Sequence, residues 1–194
     1  EELRQWDAYF RVAPKTITIT EVAWMGTAAS SSDEWIELYN NTNVPIDLTN
    51  WRIKRAADSL HDIVINNCEA INPNCTIAPH AYFLLERTDD STISDIAADF
   101  FFSYDIGNSN ETLSLYDPLG NKVDTANNNG GNWPAGNSIT FGSMERAGKM
   151  FNDIDTSWFT HTGGTPRNGK DALGNNIKGT PKHDNWAFGV TATP

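Results

Sequence analysis

The stretch DEWIELYNNTNVPIDLTNWRI, Asp33 to Ile53, gathers acids beside two tryptophans and a tyrosine. Within it Glu37 sits between Trp35 and Tyr39 on one face of an alternating run. A carboxyl flanked by aromatic rings loses solvation, rises in pKa and can serve as an acid. Glycosidic hydrolysis needs a second carboxylate opposite the first, and nothing in the sequence places one there. The structural alternative is a partly buried glutamate held by a charge-assisted hydrogen bond, with Arg146 of SMER as its expected partner. The Glu37–Arg146 structural ion pair is the reading taken, and no catalytic residue is assigned.

Other chemistries find less. The four histidines, His61, His80, His161 and His183, stand far apart and none begins an HExxH or HxH spacing. There is no GxSxG elbow, and the glycine-rich NNNGGNWPAGN lacks the lysine of a phosphate loop. Calcium has hard oxygens available on turns, Asp153 and Asp155 in NDIDTSW and Asp105 with Asn108 and Glu111 in SYDIGNSNE, but neither segment completes a twelve-residue EF-hand loop. These acids are read as solvated loops, with calcium kept as the alternative and no cofactor expected. Seven tryptophans raise the idea of a sugar-stacking platform, yet Trp6, Trp24, Trp133 and Trp186 are spread over the whole chain. Asn40, Asn74 and Asn110 each begin an N-x-[ST] sequon, relevant only in a glycosylating host. Cys68 and Cys75 enclose a short loop in NNCEAINPNC and are expected to form a disulfide, which implies an oxidising compartment.

Composition narrows the partners. The 194 residues suffice for one main core, and the formal charge of −11 with scattered lysines and arginines repels phosphate backbones, so nucleic acid is not expected as a partner. No window approaches the 18 or so uninterrupted apolar residues of a membrane-spanning helix. The chain opens at Glu1 without a basic-then-apolar leader, as a processed or excised chain would.

The elements that must position these residues are strands. Short alternating runs separated by Gly, Pro, Asn and Asp recur along the chain: TITITEV from Thr16, EWIELYN, IDLTNWRI, LHDIVI, HAYFLLER, ETLSLYD, KVDTA and NSITFGSMER. Ile36 and Leu38 fall on one face of EWIELYN and Trp35, Glu37 and Tyr39 on the other. Three divisions are expected: residues 1–15 as an N-terminal segment or short helix, 16–168 as an all-β sandwich with long loops, and 169–194 as an irregular wrap ending in a strand. The excursion STISDIAADFFFSYDIGNSN is expected to hold a short helix near Ser94 to Asp99, with Phe100 to Phe102 plugging the sandwich.

ITEVAW, DEWIELYN, IDLTNW and SMER, followed by a tryptophan and a GTP turn, together resemble the lamin-tail domain, closest to its secreted and surface-attached bacterial versions. The resemblance runs from about Thr16 to Asn168. It implies an immunoglobulin-like antiparallel β-sandwich, a non-catalytic module of extracellular or cell-surface proteins. In animals the domain forms the tail of nuclear intermediate filaments; residues 1–15 show no heptad pattern, so a nuclear filament role is not expected here. The expected partner is a protein or a cell surface. The alternatives are self-association through edge strands into a filament or surface layer, and an accessory calcium- or carbohydrate-binding module of a secreted hydrolase.

Overall fold

The structure is a computed structural model that describes residues 15–188. The expected N-terminal helix and the last residues of the expected terminal strand lie outside that range. Among the described residues there is no α-helix. Twelve strands follow one another: β1 Ile17–Ala23, β2 Trp35–Asn40, β3 Ile46–Asp47, β4 Arg52–Arg55, β5 Ile63–Val64, β6 Thr76–Ile77, β7 Tyr82–Arg87, β8 Phe100–Phe102, β9 Leu113–Tyr116, β10 Lys122–Ala126, β11 Met144–Arg146 and β12 Trp158–Thr160. They form a six-stranded sheet in the order β12-β11-β1-β2-β7-β8, a four-stranded sheet in the order β10-β9-β4-β5, and the small ribbon β3-β6. This is the expected immunoglobulin-like sandwich.

The alternation of apolar residues builds the space between the sheets. Ile17, Ile19, Val22, Ile36, Leu38, Phe83 and Leu85 of the large sheet and Ile53, Ile63, Leu113 and Leu115 of the small one belong to a single core. Each such side chain contributes roughly 1.5–3 kcal/mol by leaving water. All six residues of β2 are buried, including Trp35, Glu37 and Tyr39, which alternate with Ile36 and Leu38 and so take the other face of the sheet. A strand reads as buried throughout only if its second face is also covered. The cover is the C-terminal wrap, residues 161–188, called the strap below.

One pair of the twelve strands departs from the expected antiparallel pairing. β7 and β8 are parallel, with Leu85 opposite Phe100 and Arg87 opposite Phe102. The chain between them, residues 88–99, is a crossover of the length a parallel pair demands. The helix expected within it is a series of turns, because Ser94 N donates to Lys170 O and Asp99 N to Leu84 O, so the backbone is spent on tertiary contacts rather than on a helical ladder. Phe100 and Phe102 are buried, as expected of a plug. NSITFGSMER yields a strand only at Met144–Arg146, because the Asn137 side chain accepts from Ile139 N and Thr140 N and turns the chain there. Trp186 to Phe188 form a turn where a terminal strand was expected.

Candidate functional site

Strand register determines where the acids meet. Glu21 of β1 is opposite Glu145 of β11 and opposite Glu37 of β2. Three carboxyls therefore lie side by side across adjacent strands on the face away from the core, and each is fully buried. Like charges placed directly opposite are destabilising, so this row needs an explanation.

The explanation is the strap. Thr180 N donates to both oxygens of Glu21 at 3.1 and 3.2 Å, Lys182 N to Glu37 Oε2 at 2.6 Å, and Ala187 N to Glu145 Oε2 at 3.1 Å. Each carboxyl thus satisfies a backbone amide that the strap would otherwise bury unpaired. Below the strap, Thr20 Oγ1 donates to Glu37 Oε1 at 2.9 Å and Ser143 Oγ to Glu21 Oε1 at 2.5 Å. Asn185 Nδ2 completes the seam by donating to Thr20 O and Arg146 O. Gly179 lies so close to the sheet that a β-carbon there would stand 2.6 Å from Glu21 Oε1 and 2.9 Å from Trp35 Cζ2.

Among the described residues no lysine or arginine forms an ion pair with the row, and Lys149 offsets the charge of Glu37 only at longer range. Desolvation pushes the Glu21 and Glu37 carboxyls well above the ordinary carboxylate range, and their like-charged neighbours add to the rise. Burial likewise raises Glu145, to about 7. The geometry accommodates a proton on this row. Thr180 Oγ1 stands 3.0 Å from Glu21 Oε2 and 3.0 Å from Glu145 Oε1. A hydroxyl has one hydrogen to give, so Thr180 shares it between the two carboxyls, and a proton on either one would be accepted by the same oxygen. His161, 4.0 Å from Glu145, supplies no charge, because burial lowers its pKa and Gly163 N donates to its Nδ1 while its Nε2 donates to Pro166 O. Farther along the same face, opposite Trp35, buried Glu86 is raised to about 9 by the same desolvation.

The expected Glu37–Arg146 pair does not form. Arg146 follows Glu145 in β11, and successive strand residues point to opposite faces, so Arg146 enters the space between the sheets. There its Nη2 donates to Asp124 Oδ2 at 2.9 Å and to Thr125 O at 2.6 Å, its Nε donates to Ile19 O, and its guanidinium stacks 4.5 Å from the Trp158 ring. Asp124 also accepts from Ile19 N and Lys15 Nζ, both at 2.8 Å. The arginine and aspartate tie β1 and β11 of one sheet to β10 of the other. An acid inside the run KVDTA, on a strand that must bury one face, was the signal for this partner.

The acids considered for calcium do not converge. Asp153 is spent on Thr125 Oγ1, Asn127 N, Asn128 N and Trp158 Nε1, all of which donate to it. Asp155 accepts from Asn129 Nδ2, and Asp105 accepts from Arg55 through its backbone carbonyl. Among the described residues no group of three or more His, Cys, Asp or Glu is placed to hold a metal ion. Cys68 and Cys75 are disulfide-bonded, with Cα atoms 5.3 Å apart, and Cys75 belongs to the core. Trp35, Trp51 and Trp158 are buried; so are Trp24 and Trp133, which stack on each other, leaving no row of exposed rings for a sugar among them. Trp6 lies outside the described residues.

Chemically, a protonated carboxyl next to a second acid could act as a general acid, but these are sealed beneath the strap and occupied in holding it. Among known families, the chain matches the Lamin Tail Domain over residues 12–130, more than half of its length, a stretch that contains β1 to β10. No curated protein matches the chain.

Proposed function

The chain belongs to the lamin tail domain family, and from that premise we propose that it serves as a non-catalytic interaction and structural module of an extracellular or cell-surface protein. The observation that carries this reading is the fate of the acids: Glu21, Glu37 and Glu145 are fully buried and act as acceptors for the strap. Chemistry on a substrate needs at least one such group within hydrogen-bond reach of a reacting atom. The Cys68–Cys75 bond supports an oxidising compartment, and the charge of −11 supports a partner other than nucleic acid. Self-assembly through the edges of the large sheet has less support, since its outer strands, β12 and β8, are three residues each, and short edges limit pairing with another chain.

The test is to recover the protein from its native source with free thiols trapped by alkylation before any reduction. The expected result is an extracellular or surface fraction with Cys68 and Cys75 unalkylated; recovery inside the cell with both alkylated overturns the compartment. Millimolar calcium is expected to leave the melting temperature unchanged, because an ion that bound only the native state would raise it. A calcium-dependent rise would restore the accessory-module reading.

A further inference from the structure

Beside the carboxylate row, the turn Gly148–Phe151, closed by Phe151 N donating to Gly148 O, delivers Lys149 into a nest of aromatic rings. Its Nζ lies 3.9 Å from the centroid of Tyr39, 5.2 Å from that of Tyr82 and 5.2 Å from that of Phe188. Asp184 Oδ1 stands 2.6 Å from the same nitrogen. Tyr39 and Tyr82 are opposite each other on β2 and β7, their ring centroids 4.9 Å apart, whereas Phe188 and Asp184 come from the strap. The Tyr82 hydroxyl donates to Asp184 at 2.5 Å and so orients the carboxylate. Three negative ring faces and one carboxylate converging on an ammonium make the arrangement by which proteins recognise quaternary and methylated ammonium groups.

We propose that this cage is a binding site for a quaternary or methylated ammonium head group, and that Lys149 is its resident competitor. Three features carry the assignment. The cage is open to solvent on one side, with the Lys149 side chain 25% exposed and that of Asp184 60% exposed. The Lys149 turn contributes little else to the core, since Met150 and Phe151 are each 51% exposed. The turn's backbone is pinned by Lys15 Nζ and Arg146 Nη1, which both donate to Phe151 O, so the lysine leaves by side-chain rotation alone, with no unpacking of the sandwich. A methylated ammonium sheds less hydration than Lys149 on entering the rings but forgoes the hydrogen bond to Asp184. Lys149 keeps the advantage of being tethered, which gives it an effective concentration in the millimolar range. The site is assembled only while the strap is seated, because the strap supplies two of its walls. It goes beyond the module reading and holds whatever the compartment.

The test uses choline and Nε-trimethyl-lysine amide as probes. By calorimetry, Lys149→Ala is expected to bind at least one of them roughly tenfold or more tightly than wild type, as removal of a tethered competitor requires. Phe188→Ala in the same background is expected to lose that gain. Binding of choline alone identifies a head-group ligand, binding of the lysine derivative alone a modified side chain, and either supports the site. Lys149→Ala that melts like wild type and binds neither probe overturns it. Should that variant fail to fold, the wild-type protein decides by NMR. The Lys149 ε-methylene, shifted upfield by the Tyr39 ring, should move to its solvent position as either probe saturates; a resonance that stays in place with both overturns the proposal.

Discussion

Glu145 and Arg146 are neighbours in the chain and end up in opposite electrostatic worlds. Between the sheets, Arg146 meets Asp124 in a charge-balanced pair with backbone carbonyls at its remaining nitrogens. On the outer face, Glu145 joins Glu21 and Glu37 in a row that no described lysine or arginine pairs with directly, whose carboxyls are raised in pKa by burial and anchor the strap. Both arrangements bury ionisable groups completely, but they tie together different layers by different means. The inner pair links sheet to sheet through charge, and the outer row links sheet to strap through hydrogen bonds whose acceptors are carboxyls of raised pKa. The first should therefore be strong and indifferent to pH near neutrality, and the second weaker and pH-dependent.

The comparison breaks most sharply at Arg146. Arg146→Met leaves Asp124 buried with only Lys15 as a cationic partner, and breaking a buried pair costs about 3–5 kcal/mol. Urea unfolding measures this, and a loss under about 1 kcal/mol, the range of an exposed pair, would show that the inner pair does not join the sheets. On the outer face the corresponding break is Gly179→Ala. Its β-carbon would stand 2.6 Å from Glu21 Oε1 and 3.0 Å from Ser143 Oγ, so the strap must lift. Overpacking of this kind costs roughly 1–3 kcal/mol. Limited proteolysis is expected to cut the strap of this variant while the sandwich survives. A strap as resistant as in wild type would mean that it is not an independent layer.

Much of this was legible from residue types and spacing. The alternation in EWIELYN assigned Ile36 and Leu38 to the core face, the cysteine spacing indicated the Cys68–Cys75 bond, and the clustered motifs pointed to the sandwich. The partner of Glu37 was not legible, because strand pairing sets which residues of neighbouring strands share a face, and a one-residue offset exchanges Arg146 for Glu145. The bulge between Ile19 and Glu21 adds such an offset within β1. Nor was the strap's role visible. Its contacts with the acids run mostly through backbone amides of Thr180, Lys182 and Ala187, and a backbone donor leaves no mark on sequence. The parallel β7–β8 pair was hidden for a related reason: the crossover of residues 88–99 is held by long-range backbone bonds to Lys170 and Leu84.

The finest distinction between the two regions is the pH response of the outer row. Glu145 is raised from its ordinary value near 4.5 to about 7 in the folded protein. Between those values the folded state holds a proton that the unfolded state has released, so stability falls as pH rises through that window. The slope is at most about 1.4 kcal/mol per pH unit for one group. Glu86, raised to about 9, extends the decline above neutrality, and the raised Glu21 and Glu37 act in the same direction. Arg146 keeps its charge throughout, so the inner pair adds no comparable slope from its cation. Glu145→Gln replaces the titrating carboxyl with an amide that is neutral at every pH and still offers Ala187 N an acceptor. Its unfolding free energy should stay near that of wild type at the acid end of the window and decline less steeply toward pH 7. Wild-type and variant curves that remain parallel from end to end would remove Glu145 as a source of the pH response and leave the row's protons to Glu21 and Glu37 alone.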